Sequence, residues 1–545
     1  MTRETWLTVA ALFVIGLIVR AAFAAQVVFP KPEDTAYYVG VARNLLEGRG
    51  LVSDALWSYA TPPLEFPRPA FEVWLPLPTF LAVIPMLALG PTFAAAQVSS
   101  VLIGALVPVL AWRLAADVAA ERGLSPIRGR VLALGTGLTA AVYLPLVLHS
   151  GLPDSTMPFT ALALGACLLM TRVLRDPRDG RLMDPRLLGI GVLLGLIALT
   201  RNEAAWLALT WVLLVWAARH IPTPSKIRMA AVVAVIALLV FAPWAVRNWD
   251  TFGSPLPGQA VTNAFSVTGF DIFAWNDPPT LSRYLAVGPA RLIEMRIEGL
   301  GHNLGNVLLL PGFPLSAVGL LALPWTARPL AVRPIVLVAA ITFLITSLVF
   351  PVATTWGTFL HAAGPIHVLI VLSALSAIDT GLAALGRRLG WTKEVGWLAG
   401  TMGFAASLLF SVVLLAGFAS GSRETARLYD ELAARTDAVD RALDAPGTRL
   451  MSNFPIWVAE TQRTSTLALP DEPPADVLDL AAAFEGTRYL VLTSPEGRHW
   501  PGDLVAARPG AECFVPVDLG PYTGDGTDPL AKTTVYEIGC PGSTP

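Results

Sequence analysis

A succession of apolar runs, separated by short loops that carry many of the arginines, leaves this chain few ways to fold. The runs lie at Trp6 to Val28 and near 93–112, 131–149, 158–172, 187–200, 204–218, 229–246, 304–324, 335–351, 364–380 and 396–418. A helix needs about 20 apolar residues to cross a bilayer, and several of these runs fall short of that. The 545 residues are 54% hydrophobic and 14% charged, against about 25% charged in an ordinary soluble domain. The pattern predicts a polytopic α-helical membrane protein with about eleven transmembrane helices. Ala22-Phe23-Ala24 has the look of a cleavage site. The first run is nevertheless read as a span, because it is longer than a signal core and Arg20 interrupts its end.

The basic loops set the predicted orientation. Arg113, Arg122, Arg128 and Arg130 form one group, and Arg172, Arg175, Arg178, Arg181 and Arg186 the next. Arg219, Lys226 and Arg228, then Arg328 and Arg333, then Arg387, Arg388 and Lys393 complete the series. The positive-inside rule places all of them on the cytoplasmic side of a cell membrane, with the N-terminus inside and the C-terminus outside. Parity then requires that 72–89, broken by Pro76, Pro78 and Pro85, dip into the membrane without crossing it. Residues 29–92 and 247–303 become outer loops. The chain divides into a membrane part, 1–419, and an extracytoplasmic domain, 420–545, whose charged helical stretch and short strand-like runs between Pro and Gly turns predict a small α/β fold.

Net charge is −2, with no basic surface for nucleic acid. No CxxC, HExxH or glycine-rich phosphate loop occurs, so the sequence offers nothing for a zinc hydrolase or a nucleotide-binding protein. Cys167 falls in an apolar run. Cys513 and Cys540 fall in the outer domain, where an oxidising space allows them to pair.

Two acidic stretches, Pro32-Glu33-Asp34 and Leu152-Pro153-Asp154, each follow an apolar run and on this topology emerge on the same side. Carboxylates at a bilayer surface are costly unless they line a wet cavity or have partners, so the pair points to a polar site. Asp34 also opens a segment through Tyr38 to Leu46 with helical spacing, stopped by Gly48 and Gly50. That segment reads as an amphipathic interfacial helix with Asp34 at its N-terminal end, where the acid either serves the polar site or only caps the helix. Asp154 has the same alternative role for a helix starting near Thr156. Arg201 stands in the polar turn between two short spans, and Arg247 at the end of another. Either guanidinium can reach a lipid phosphate, or simply snorkel to the interface.

With the acid after the first span, the later Gly195 to Arg201 segment, and Pro243-Trp244 through Arg247-Asn248 followed by Phe252-Gly253, the chain resembles the polyprenyl-phosphate-sugar-dependent glycosyltransferases of the GT-C superfamily. The likeness is to the branch of protein O-mannosyltransferases and lipid A aminoarabinose transferases. Where many relatives have Asp then Glu, the order here is Glu33-Asp34, and His361 occupies the place of an expected phosphate-binding arginine. The resemblance implies a GT-C fold and transfer of a sugar, with inversion, from a polyprenyl-phosphate donor to an extracytoplasmic acceptor. Membrane lipids are the surroundings, and nucleic acid is not a partner. The candidate site comprises Asp34 and Asp154 as catalytic acids, Asp34 being the general base, with Glu33, Tyr38, Arg201, Arg247 and His361 binding substrate. No residue is assigned as a metal ligand, although two acids leave a divalent ion open as a cofactor. The other readings are a lipid-linked substrate transporter or flippase, or a partner subunit without activity. Broken helices and intramembrane charges suit a transporter equally well.

Overall fold

The protein is described here from a computed structural model, in which residues 2–177, 184–391, 395–494 and 498–540 are placed. Arg178, Arg181 and Lys393 of the basic loops lie outside the described residues. Among the described residues, seven helices are long and apolar enough to cross a membrane: Arg3–Ala24, Phe93–Glu121, Thr156–Arg175, Thr223–Phe252, the run Leu330–Leu348, Gly364–Arg388 and Trp397–Ala438. Two bent pairs, Pro126–Val142 with Leu144–Gly151 and Gly288–Gly312 with Leu315–Thr326, raise the number to nine if each is one span. The chain is a multi-pass helical membrane protein.

Local chemistry explains where these helices start and break. Thr92 and Ser125 accept hydrogen bonds from the backbone N–H of Ala95 and Arg128, capping their helices. Pro145 follows the bend of 57° in the first pair, and Pro314 sits in the bend of 119° in the second. Proline has no N–H to donate and pushes the residue before it out of the helical region, as at Phe313, where ψ is 145°.

Three shorter apolar helices remain: Leu77–Leu89, Pro185–Ala198 and Ala204–Ala217. The 13 residues of Leu77–Leu89 extend about 20 Å at 1.5 Å per residue, well short of a hydrocarbon core of about 30 Å. Its first N–H, on Leu77, donates at 2.8 Å to the Leu199 carbonyl, in the turn between the other two.

Small residues let the long helices approach closely. Gly135 faces Gly400, and a Cβ on Gly135 would lie 2.8 Å from the Gly400 Cα. Near this contact Arg128 pairs with Asp379 at 2.7 Å. At the other end of the bundle the loop that carries Asp154 is pinned from several directions. Fully buried Arg20 donates from Nε to Ser150 Oγ at 3.0 Å. Gln97 Nε2 donates to the Gly151 carbonyl at 2.8 Å, and Ser100 Oγ to the Leu152 carbonyl at 2.6 Å.

The 42-residue helix Trp397–Ala438 continues without a break through residue 420 and leads to a six-stranded mixed sheet. Strand order is Ala55–Leu56, Thr466–Ala468, Arg449–Ser452, Thr487–Thr493, Thr533–Ile538, Phe514–Pro516. The first four strands pair in parallel and the last two junctions are antiparallel. One edge strand comes from the first long loop, so that loop and the C-terminal sheet form one hydrogen-bonded layer. Cys513 and Cys540 are joined in a disulfide.

Candidate active site

The helix Glu33–Leu46 begins after Pro32 and carries both acids in its first turn, where the exposed N–H groups favour negative charge. Its residues divide between two faces. Asp34 and Tyr38, one turn apart, line a cavity of about 350 Å³ together with Glu33, Arg201, Glu203, Thr358 and His361. Gly40 and Asn44, farther along, turn toward the helix Pro455–Gln462 of the sheet layer. The cavity rim is aromatic, with Trp57, Trp74 and Trp356 from the loops and Phe454 and Trp457 from the sheet layer.

Asp34 and Asp154 meet across one imidazole. His361 Nε2 lies 3.3 Å from Asp34 Oδ2, and Nδ1 of the same ring lies 3.7 Å from Asp154 Oδ2. Thr156 Oγ1 is 2.7 Å from that Nδ1. On the other side of Asp154, His149 Nδ1 stands 3.4 Å from Oδ2. Asp154 also accepts the Thr156 N–H through Oδ1 at 2.7 Å, so it tethers the start of the following helix as well as facing the two histidines.

These surroundings set the protonation of groups lying between the spanning helices. Burial, reinforced by the Asp154 charge, pushes the Asp34 carboxyl up to about 6 against the pull of Arg201. Burial alone would raise Asp154 too. The hydrogen bond and charge of His149, with His361 and the Thr156 N–H, outweigh it and hold that carboxyl below its usual value. Burial also pushes the His361 imidazole down to about 3, so the ring is neutral. Burial and Asp34 raise the Tyr38 phenol, which stays a neutral donor.

Arg201 is more heavily engaged than its position in a polar turn suggests. Nε and Nη2 donate to the two carboxylate oxygens of Glu203, at 3.0 and 2.8 Å. Nη1 donates to Ser155 Oγ at 2.9 Å and Nη2 to the Thr358 carbonyl at 3.0 Å. Glu33 points to the sheet layer, where Oε1 accepts the Ile456 N–H at 2.9 Å. Burial raises its carboxyl to about 8, so Glu33 is largely uncharged at neutral pH. Arg247 does not line the cavity. Its guanidinium lies over Trp244 and Phe252, with centroid distances of 4.9 and 5.2 Å.

Of the residues singled out from the sequence, Glu33, Asp34, Tyr38, Arg201 and His361 line this cavity, whereas Asp154, expected at its polar end, lies behind His361 and is not among the lining residues. Sequence reasoning missed His149 and Glu203 as parts of the cluster. The signal for both was local: His149 shares a loop with Asp154, and Glu203 is two residues from Arg201. Among the described residues, His149, Asp154 and His361 are the one group of three side chains whose nitrogen and oxygen atoms, all within 4.8 Å of one another, suit a metal ion.

The fold defines a class, a polytopic helical membrane protein whose loops and C-terminal sheet layer close over a polar cavity. No family model matches the chain, and no curated protein matches it in sequence. Solved structures do match in fold. ArnT from Cupriavidus metallidurans bound to undecaprenyl phosphate superposes with a TM-score of 0.57 at 12% identity, over 98% of each chain. The oligosaccharyltransferase AglB from Archaeoglobus fulgidus, in complex with an inhibitory peptide and a dolichol-phosphate, gives 0.52 at 13% identity, over 88% of this chain and 69% of that one. The Archaeoglobus fulgidus oligosaccharyltransferase in complex with Zn and sulfate gives 0.55 at 15% identity, over 93% and 71%. The particular chain has the GT-C fold expected from the resemblance in its motifs.

Proposed function

We propose that this protein is an inverting membrane glycosyltransferase that moves a sugar from a polyprenyl phosphate to an extracytoplasmic acceptor. The observation that carries the reading is Asp34, a carboxylate at the polar end of an aromatic-rimmed cavity, with its ionisation near 6. A general base is most effective when its pKa lies close to the working pH. Asp34 accepts the proton of the acceptor hydroxyl, whose oxygen attacks the anomeric carbon from the face opposite the phosphate. The bond between that carbon and the phosphate oxygen breaks, the configuration inverts, and the bonding electrons leave with the lipid phosphate. The remaining Nη1 hydrogen of Arg201 and its charge favour the departing anion. His361, facing Asp34 through Nε2, holds the carboxylate in place. The fold supports a lipid-phosphate donor, since the ArnT and AglB structures are described with undecaprenyl phosphate and dolichol-phosphate.

The topology we infer has about eleven spans, with the two 14-residue helices Pro185–Ala198 and Ala204–Ala217 forming a short hairpin and Leu77–Leu89 not crossing. The N-terminus is cytoplasmic and 420–545 is an outer domain of a cell membrane protein. The Cys513–Cys540 disulfide suits an oxidising exterior, and the basic loops suit the opposite side.

The test uses the purified full-length protein in lipid with a panel of polyprenyl-phosphate sugars. Asp34→Asn should stay folded and bind donor while transfer falls at least ~10²-fold, because the amide cannot accept the proton. Undiminished transfer by Asp34→Asn would overturn the assignment.

A further inference from the structure

We propose that a second pocket, set between the two outer loops beside the reaction cavity, binds an uncharged sugar unit of the acceptor, which is therefore a glycan of more than one residue. The inference rests on the transferase reading and names the class of acceptor that it serves.

Two stretches far apart in the chain make this pocket. Ala60, Thr61 and Pro62 come from the first outer loop, and lining residues between Phe252 and Thr262 come from the end of the helix Thr223–Phe252 and the loop after it. Gly253, with φ of 71°, ends that helix in the left-handed conformation. Gln259 Nε2 then donates to Ser58 Oγ at 2.6 Å and joins the two stretches. The pocket holds about 310 Å³, within the range of small-molecule sites.

Its lining is polar without being charged. Thr61, Ser254 and Thr262 bring hydroxyls, and no Asp, Glu, Lys or Arg occurs among the described lining residues. The reaction cavity, by contrast, is lined by Glu33, Asp34, Arg201 and Glu203. An ionic group in the pocket would find no partner of opposite sign, whereas a ligand rich in hydroxyls finds both donors and acceptors.

Gln259 carries the clearest mark of a missing ligand. The residue is 6% exposed, and its Oε1 has no hydrogen-bond partner although Nε2 is engaged. A buried amide oxygen without a donor is costly to keep, and a ligand hydroxyl supplies the donor. Phe252, Leu256 and Pro257 add apolar surface beside the hydroxyls, and this suits a sugar ring, whose faces carry C–H groups while its edges carry O–H. A peptide is less well matched. None of the described lining residues belongs to a strand, so no strand edge is there to pair with a peptide backbone.

Position ties the pocket to transfer. The short helix Ala260–Phe265 borders both sites: Val261 and Thr262 line the pocket, while Asn263, with Ser266 just beyond the helix, lines the cavity that holds Asp34. A helix with its side chains is about 10–12 Å across, a breadth that one sugar ring does not cover. A glycan with its reacting hydroxyl at Asp34 therefore places a later unit in the pocket.

The experiment reads saccharide binding in the absence of donor. Full-length protein in lipid nanodiscs is titrated with neutral gluco-, manno-, galacto- and xylo-trisaccharides, with the matching monosaccharides, and with uncharged peptides rich in Ser and Thr. At least one trisaccharide should bind ~10-fold or more tighter than its monosaccharide, the gain that two or three added hydrogen bonds provide. Thr262→Trp, which fills the pocket, should erase that advantage and leave the monosaccharide affinity as it was. Thermal unfolding checks that the variant is folded, and Ser254→Trp replaces it if it is not. Trisaccharides that bind no tighter than monosaccharides in the wild type, an advantage that survives in the folded tryptophan variant, or pocket-dependent binding of a peptide instead would overturn the proposal. No donor takes part, so a negative result leaves the Asp34 assignment untouched, and undiminished transfer by Asp34→Asn leaves the saccharide result standing.

Discussion

Glu203 grips Arg201 through both carboxylate oxygens, at 3.0 and 2.8 Å, inside a cavity where Arg201 is the only arginine or lysine among the described lining residues. The side chains are 13% and 5% exposed, so the pair is shielded from water. Removing one partner of a buried pair strands the other and typically costs about 3–5 kcal/mol. Arg201→Ala should therefore lower the unfolding temperature markedly, and loss of activity in that variant alone would say little. Arg201→Ala with Glu203→Ala should recover at least half of the lost stability while transfer stays depressed ~10²-fold or more, since the charge near the leaving phosphate is still missing. Recovery of both stability and turnover in the double variant would show that Arg201 serves only the fold.

Glu33 is a second acid with a different task. Its carboxyl rises from an ordinary 4.5 to about 8 on folding, chiefly through burial. The folded protein thus holds a proton that the unfolded chain has released. The resulting stability is fully present below about 4.5 and is lost as pH rises through about 8. Glu33 is half-buried, so the discounted effect is on the order of 1–2 kcal/mol. Glu33→Gln should flatten this limb in thermal melts at pH 5 to 9, with transfer within about threefold of wild type. A collapse of transfer in Glu33→Gln together with full activity in Asp34→Asn would move the base by one residue.

Much of this site was legible because its signals are local. The helix Glu33–Leu46 follows from its spacing, and its end from Gly48 and Gly50, whose φ of 80° and 87° favour glycine. Asp154 as a helix tether follows from its place before Thr156. What the sequence could not show is made by distant pairing. The strand Ala55–Leu56 joins Thr466–Ala468 across some four hundred residues of chain, and His149 becomes a neighbour of His361 only when two spans pack. Arg247 is instructive in the other direction. A guanidinium at a helix end has the right chemistry for phosphate, but Trp244 one turn earlier and Phe252 beyond it offer aromatic faces instead.

The sheet layer bears on the helix Glu33–Leu46 at a specific point. Arg43 and Glu460 form a buried ion pair, with Arg43 Nη1 donating to Oε2 at 2.8 Å. Gly40 leaves room for that carboxylate, since a Cβ there would lie 3.0 Å from Oε2. With side chains 9% and 10% exposed, Glu460→Ala should destabilise by about 3 kcal/mol or more and lower turnover by loosening the helix that carries Asp34. Arg43→Met with Glu460→Leu should restore most of the stability, because an apolar pair of similar volume replaces the ions at little cost. Unfolding followed by tryptophan fluorescence would check both, and a Glu460→Ala protein as stable as wild type would refute the tether.

The disulfide offers a separate test of how independently the sheet layer holds together. Cys513 and Cys540, 27 residues apart, close a loop containing the antiparallel pair Phe514–Pro516 and Thr533–Ile538. Restricting an unfolded loop of that length stabilises the folded state by about 3–4 kcal/mol in the chain-entropy account. Replacing both cysteines by serine should lower the stability of the layer by that order, visible as earlier proteolysis after residue 500 on warming. These two strands lie at the opposite end of the sheet from the strand Ala55–Leu56, so transfer at low temperature should remain within about twofold of wild type, a change of less than 0.5 kcal/mol in barrier. If turnover instead falls in proportion to the lost stability, the sheet and the cavity unfold as one cooperative unit, and the separate treatment of residues 420–545 fails.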